Sequence, residues 1–273
     1  MRELTNEEVK SLELEVLLNV ASFCEKHNLT YYLAYGTLIG AIRHKGFIPW
    51  DDDIDIMMPR EDYNRLIEIF NKEMSETPYL AIDPWGENAA QSFLKIGNKN
   101  TMKVEPEYEY KGAMIDIDVF PIDGMPEDAE KYDAWYKKMY KFYTAHFYQR
   151  LQLKTIKNLR ELIKIMIKKV LWGCYFSRKR FLKKAAKEHS KYPYDKCLYV
   201  GVMESCWNSK KNRVLKSYYS DTVDVGFEGH MFKAPIGYHE ILTNIYGDYM
   251  KLPPVENQMA EHHYTAYYKE IDK

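Results

Sequence analysis

The chain has 273 residues, enough for one large domain or for a core with an annex. Its 46% hydrophobic and 29% charged residues suit a globular protein with a sizeable core, and a net charge of −1 leaves no global field favouring nucleic acid. Met1-Arg2-Glu3-Leu4-Thr5 lacks the apolar stretch of a signal peptide, no run of about 18 apolar residues suggests a membrane span, and the four cysteines lack Cys-x-x-Cys spacing; reduced thiols, no zinc and a cytoplasmic location are expected.

Thr5 with Glu8 three residues on is a capping-box pattern. Leu12, Val16, Leu17, Val20 and Phe23 then recur at a helical period, predicting a helix to about His27. Tyr31 to Tyr35 reads as a strand, Gly36-Thr37 opens a second helix through Ile42, and Lys45 to Pro49 is a turn. Asp53 to Met58 reads as a second strand that Pro59 stops. Arg60 to Lys72 is a predicted helix with Tyr63, Leu66, Ile67 and Phe70 on one face. Shorter strands are expected at Tyr79–Ile82, Ser92–Gly97 and Ala113–Phe120, and a hydrophobic helix from Ala129 to about Gln152. From Arg150 to Lys191, fourteen Lys/Arg stand against two acids, Glu161 and Glu188. A Tyr-rich tail with several turns follows. With no internal repeat or low-complexity linker, the pattern predicts an α+β core with a helical insertion. The expected organisation is a single domain over 1–273: a core to about 128, a basic helical segment over about 129–191, and a C-terminal part packing back on the core.

The chemistry concentrates in Tyr35 to Met58. On a strand, residues two apart share a face, so Asp53 and Asp55 are expected side by side while Ile54 and Ile56 point into the core. Paired carboxylates are costly unless a cation neutralises them, and oxygen-only ligands favour Mg²⁺ or Mn²⁺. Ala113 to Phe120 repeats the alternation with Asp116 and Asp118, one of which would complete a metal site and the other lie at the surface. Gly36-Thr37 at a helix start suits phosphate, and Arg43 and Lys95 would add cationic contacts to it. Asp51-Asp52-Asp53 reads equally as a solvated acidic turn. An EF-hand fails because Ile56 stands at the sixth loop position, where Gly is required. An aspartyl-nucleophile phosphatase fails because Ile48-Pro49-Trp50-Asp51-Asp52 is no apolar strand.

The string from Tyr35-Gly36-Thr37-Leu38-Ile39-Gly40-Ala41-Ile42-Arg43 to Trp50-Asp51-Asp52-Asp53-Ile54-Asp55 resembles the LicD family of phosphocholine transferases, relatives of the fukutin proteins. Further matches are Phe93-Leu94-Lys95-Ile96 with Thr101, Ile117-Asp118-Val119-Phe120-Pro121-Ile122-Asp123, and Tyr246-Gly247-Asp248-Tyr249 through Pro254, in the right order over nearly the whole chain. The resemblance implies a nucleotidyltransferase-like core, with a small mixed sheet flanked by helices. It also implies Mg²⁺-dependent transfer of a phosphorylated alcohol, often phosphocholine from CDP-choline, to a cell-surface glycan. Carried over, Asp53 and Asp55 match the metal pair, Asp118 matches the third acid, and His262 falls where the family places a histidine. Asn257-Gln258 stands where relatives carry a Lys-Arg pair, which puts substrate choice in question.

Three functions follow: transfer of a phosphoalcohol from a CDP-alcohol, transfer of the nucleotide itself on the same fold, or non-catalytic glycan or lipid binding through the Tyr-rich tail. Catalysis would rest on Asp53, Asp55 and Asp118, with Gly36, Thr37, Arg43, Lys95 and His262 contacting substrate. In the basic segment, Leu162, Ile165, Met166, Val170, Leu171 and Trp172 form an apolar stripe beside Lys164, Lys168, Lys169 and Arg178-Lys179-Arg180. It is either an anionic-membrane face, placing the protein at the inner side of a membrane, or a helix packed on the core with its basic face solvated.

Overall fold

In the computed structural model, β1 (Arg2–Glu3) leads into α1 (Asn6–His27). The capping box forms as its pattern predicts. The Thr5 hydroxyl accepts the Glu8 N–H at 3.3 Å, and the Glu8 carboxylate accepts the Thr5 N–H at 2.9 Å. The structure describes residues 1–84, 91–104, 113–150, 158–175, 178–203, 209–259 and 264–269, with Leu153 and Ile156.

The expected strand at Tyr31–Tyr35 is only β2 (Tyr32–Leu33), because Tyr35 turns to φ 43° and starts α2 (Tyr35–Ile39). That helix runs on as a π-helical turn over Gly40–His44, and Lys45 ends it in the left-handed region at φ 63°. Next come β3 (Asp55–Pro59) and α3 (Arg60–Glu73), then β4 (Tyr79–Ile82), β5 (Leu94–Asn98), β6 (Thr101–Val104) and β7 (Ile115–Met125). The helical insertion is α4 (Ala129–Arg150), α5 (Leu159–Tyr175) and α6 (Arg178–His189). The tail holds β8 (Tyr199–Gly201), β9 (Val214–Leu215), a hairpin of β10 (Thr222–Phe227) and β11 (His230–Pro235), α7 (Tyr238–Tyr246) and β12 (Thr265–Tyr268).

The main sheet runs in the order β2-β3-β7-β5-β4, with β8 on the far end of β7 and β9 beside it. Strands β3 and β7 are parallel; the other pairs are antiparallel. Strand alternation divides the side chains between two cores. Ile54, Ile56, Met58, Ile117 and Val119 join Leu17, Val20, Leu66 and Phe70 of α1 and α3. Met57, Phe93, Phe120 and Ile122 join Val200, Val214, Ile241 and Ile245 of the tail. Asp55, Asp116 and Asp118 share the parity of the second set and so lie on the tail-covered face.

The insertion has its own apolar centre, in which Tyr132, Trp135, Met139 and Tyr143 of α4 meet Ala185 of α6 and Met125 of β7. It is also tied in by charge. Asp123 of β7 accepts from Arg60 Nε at 2.7 Å and lies 3.0 Å from His189 Nδ1 of α6, and the Tyr143 hydroxyl is 3.0 Å from His189 Nε2. A second sheet, β1-β12-β6, joins Arg2–Glu3 to Thr265–Tyr268 and to Thr101–Val104.

Candidate active site

Asp55 and Asp118 are register partners in the parallel β3–β7 ladder. Strands in a ladder lie about 4.8 Å apart, so sheet geometry sets the distance between these acids. The backbone here is held on several sides. Ala34 N–H bonds Asp55 O at 2.9 Å, Asp118 N–H bonds Ile54 O at 2.9 Å, and the Thr37 hydroxyl accepts Asp55 N–H at 2.8 Å.

Asp53 is not on the strand, which begins at Asp55. The expectation that Asp53 and Asp55 share a strand face is corrected: Asp51, Asp52 and Asp53 lie in the connecting segment. Each is half-buried, and one carboxylate oxygen from each comes within 4.8 Å of the others. Among the described residues this is the group of three acids drawn that close. Gly36 serves this segment, since a Cβ there would lie 2.5 Å from Asp51 Oδ2. The close approach that glycine permits is thus made by a carboxylate of the chain itself.

Like charges crowd the two strand acids. Burial raises the Asp55 pKa well above the usual carboxylate value, and Asp53, Asp118 and Asp51 push it the same way against Lys95. Burial also raises that of Asp118; Lys95 opposes the rise and Asp116 and Asp53 add to it. Such an oxygen-only, over-negative set is what Mg²⁺ or Mn²⁺ takes. Asp51, Asp52 and Asp53 are the acids whose oxygens lie close enough to share an ion, and Asp55 and Asp118 stand beside them as register partners without joining that group.

Asp116 is buried rather than a surface acid, because β7 is a central strand. Its Oδ1 lies 3.0 Å from Lys95 Nζ and 3.6 Å from Lys103 Nζ, and the Lys95 ammonium also bonds the Asp118 carboxylate. Lys95, expected at a phosphate, bridges two acids. Arg43 donates to the carbonyls of Tyr249 at 2.6 Å and Lys251 at 3.3 Å, and its Nε donates to His44 Nε2, so it fastens the tail to the π-helical turn. His262 lies outside the described residues.

The sequence reading missed two members of the cluster. Glu13 of α1 is fully buried, and among the described residues neither carboxylate oxygen has a hydrogen-bond partner. Its pKa is raised well above the usual value by burial; Lys103 works against the rise, and Asp53, Asp116 and Asp52 add to it. Lys103 of β6 packs its ammonium 4.4 Å from the centre of the Tyr264 ring, whose hydroxyl donates to Asp52 O at 3.3 Å. A signal for Glu13 was present: it falls in the series Val9, Glu13, Val16, Val20 on the buried face of α1.

A profile of the LicD/FKTN/FKRP nucleotidyltransferase domain matches residues 28–160, the stretch that carries all of these acids except Glu13. The lipopolysaccharide cholinephosphotransferase LicD of Haemophilus influenzae is 34% identical over 274 residues, covering 98% of this chain and 99% of that protein. The chain belongs to the LicD family. Uncharacterized proteins of Rickettsia prowazekii and Rickettsia typhi match shorter stretches, 41% identical over 61 residues and 43% over 56, each about a fifth of both chains. The mixed sheet with its flanking helices is the nucleotidyltransferase-like core expected of a LicD protein. No helix among the described residues is long and apolar enough to cross a membrane.

Proposed function

We propose that this LicD-family phosphotransferase moves a phosphorylated alcohol, with phosphocholine the first candidate, from a CDP-linked donor to a hydroxyl of a cell-surface glycan. The observation that carries the reading is the register pairing of Asp55 with Asp118, beside the Asp51–Asp53 segment, in a chain similar end to end to a lipopolysaccharide cholinephosphotransferase. Asp53, Asp55 and Asp118 would hold Mg²⁺, whose chemistry there is to neutralise the donor diphosphate. Thr37 and the strand register fix the backbone of the two strand acids, and Lys95 and Lys103 offset part of the buried negative charge.

In the transfer, the acceptor oxygen bonds to the phosphorus that bears the alcohol. The phosphorus–oxygen bond to CMP breaks, CMP leaves with that electron pair, and a carboxylate of the cluster takes the hydroxyl proton. The test is to incubate the purified chain with a panel of CDP-alcohols, a glycan acceptor and Mg²⁺. Release of CMP with the phosphoalcohol on the product supports the reading. Nucleotide on the product, or no turnover with any donor, sinks it.

A further inference from the structure

Helix α5 carries two apolar faces, and the protein covers one of them. Leu162 and Ile165, less than a turn apart, are half-buried, and the helix packs against α4. Leu159, Ile163, Met166, Ile167, Val170 and Leu171 point elsewhere, and each is between 46% and 69% exposed. At 3.6 residues per turn these six occupy one arc of roughly 140°. Of the apolar stripe read as either a membrane face or a face packed on the core, Met166, Val170 and Leu171 stand in solvent. Single exposed apolar residues are ordinary, whereas six on one helix face form a patch.

Cations of α5 itself border the patch, and the next helix in the chain carries a basic face of its own. Arg160 lies within the arc, and Lys164 and Lys168 follow at its edge. Lys164 pairs with Glu161 at 2.7 Å, and Lys168 donates to the Tyr148 hydroxyl at 2.7 Å. The next helix, α6, buries Phe181, Leu182 and Ala185 and exposes Arg180, Lys183, Lys184 and Lys187 on its opposite side, with no acid among them. An exposed apolar arc bordered by cations, on a helix of 17 residues that does not qualify as a membrane span, fits a helix lying in the plane of a lipid surface. A protein partner would have to match the apolar arc and supply acids to the cations. An anionic bilayer offers both at once.

We propose that α5 is an interfacial helix. Its outer arc enters the headgroup–acyl boundary of an anionic membrane, and the basic residues of α5 and α6 hold to the phosphates. The inference goes beyond the transferase reading and stands without it.

The test is co-sedimentation of the full chain with vesicles of phosphatidylcholine containing about 30% phosphatidylglycerol, and with pure phosphatidylcholine, at low and moderate salt. The wild-type chain should pellet with the anionic vesicles at low salt and less at moderate salt. The variant with Ile163→Ser, Ile167→Ser and Val170→Ser should lose roughly tenfold or more in partitioning. The variant with Arg180→Glu, Lys183→Glu, Lys184→Glu and Lys187→Glu should lose about as much and shed its salt dependence. Both should keep the wild-type melting temperature and, where the chain turns over a soluble CDP donor, its CMP release. Three results would overturn the proposal: wild type remaining in the supernatant, the serine variant binding as well as wild type, or a wild-type dimer that the serine substitutions dissociate while vesicles capture nothing.

Discussion

Lys95 and Asp118 are register partners in the antiparallel β5–β7 ladder, and the Lys95 ammonium bonds the Asp118 carboxylate while also reaching Asp116. Asp118 is thus flanked by a cation on one strand and by Asp55 on the other. Asp116 and Asp118, two residues apart on β7, have different duties. Asp116 neutralises buried lysines, and Asp118 faces the cluster that could hold a metal.

This separates two substitutions. Asp118→Asn should lower turnover by about a hundredfold or more while leaving the melting temperature near wild type. Asp116→Asn strips buried Lys95 and Lys103 of a charged partner and should cost about 3 kcal/mol of stability, with a smaller loss of turnover in the folded fraction. CMP release and urea unfolding on both variants check this. Were Asp116→Asn the inactive, stable one, the roles would be reversed.

Asp53→Asn and Asp55→Asn should each abolish turnover, because each removes charge from a proposed cation site without changing shape. Asp55→Asn should also raise the melting temperature of the metal-free protein by about 2 °C or more, since it relieves a half-buried carboxylate crowded by Asp53, Asp118 and Asp51. Thermal melts in EDTA read the second effect. Full activity in either variant defeats the assignment.

Glu13 gives a pH signature. A carboxyl whose pKa is raised in the fold contributes stability that is fully present below its unfolded value, about 4.3, and lost as pH rises through the folded one. The metal-free protein should therefore lose stability as pH rises above about 4.3, with Asp55 and Asp118 acting in the same direction. Glu13→Gln cannot ionise, so it should be more stable near neutrality by about 1 kcal/mol or more and show a shallower slope. Urea midpoints across that range decide it, and identical slopes would refute the role given to Glu13.

Asp123 works in the opposite sense. Burial alone would raise its pKa, but Arg60 and His189 outweigh burial and hold it well below the usual carboxylate range. A lowered carboxyl contributes stability that is present above its unfolded value, about 3.9, and lost as pH falls toward the folded one. Asp123→Asn should cost about 3 kcal/mol at neutral pH and flatten the acid limb of the stability curve below about pH 4. An acid limb unchanged by the substitution would show that other groups set it.

Much of this architecture could be read from the chain because its signals are local. The capping box and apolar period of α1, the amphipathic face of α3 and the alternation in β7 each lie within a few turns or residues. Asp53 was misplaced because alternation continues for two residues before the ladder begins. Asp116 was misjudged because sequence does not reveal whether a strand is central or at an edge. Arg43 finds its carbonyl partners about two hundred residues away, and β1 pairs two residues with β12, so neither has a local signature.

Strand β12 lies between β1 and β6, with Arg2 opposite Tyr268, and Tyr264 just before it reaches back to Asp52 across 212 positions. During synthesis the acid segment leaves the ribosome long before the tyrosine that braces it. A nascent chain therefore carries Asp51 to Asp55 without that brace until β12 slots between β1 and β6.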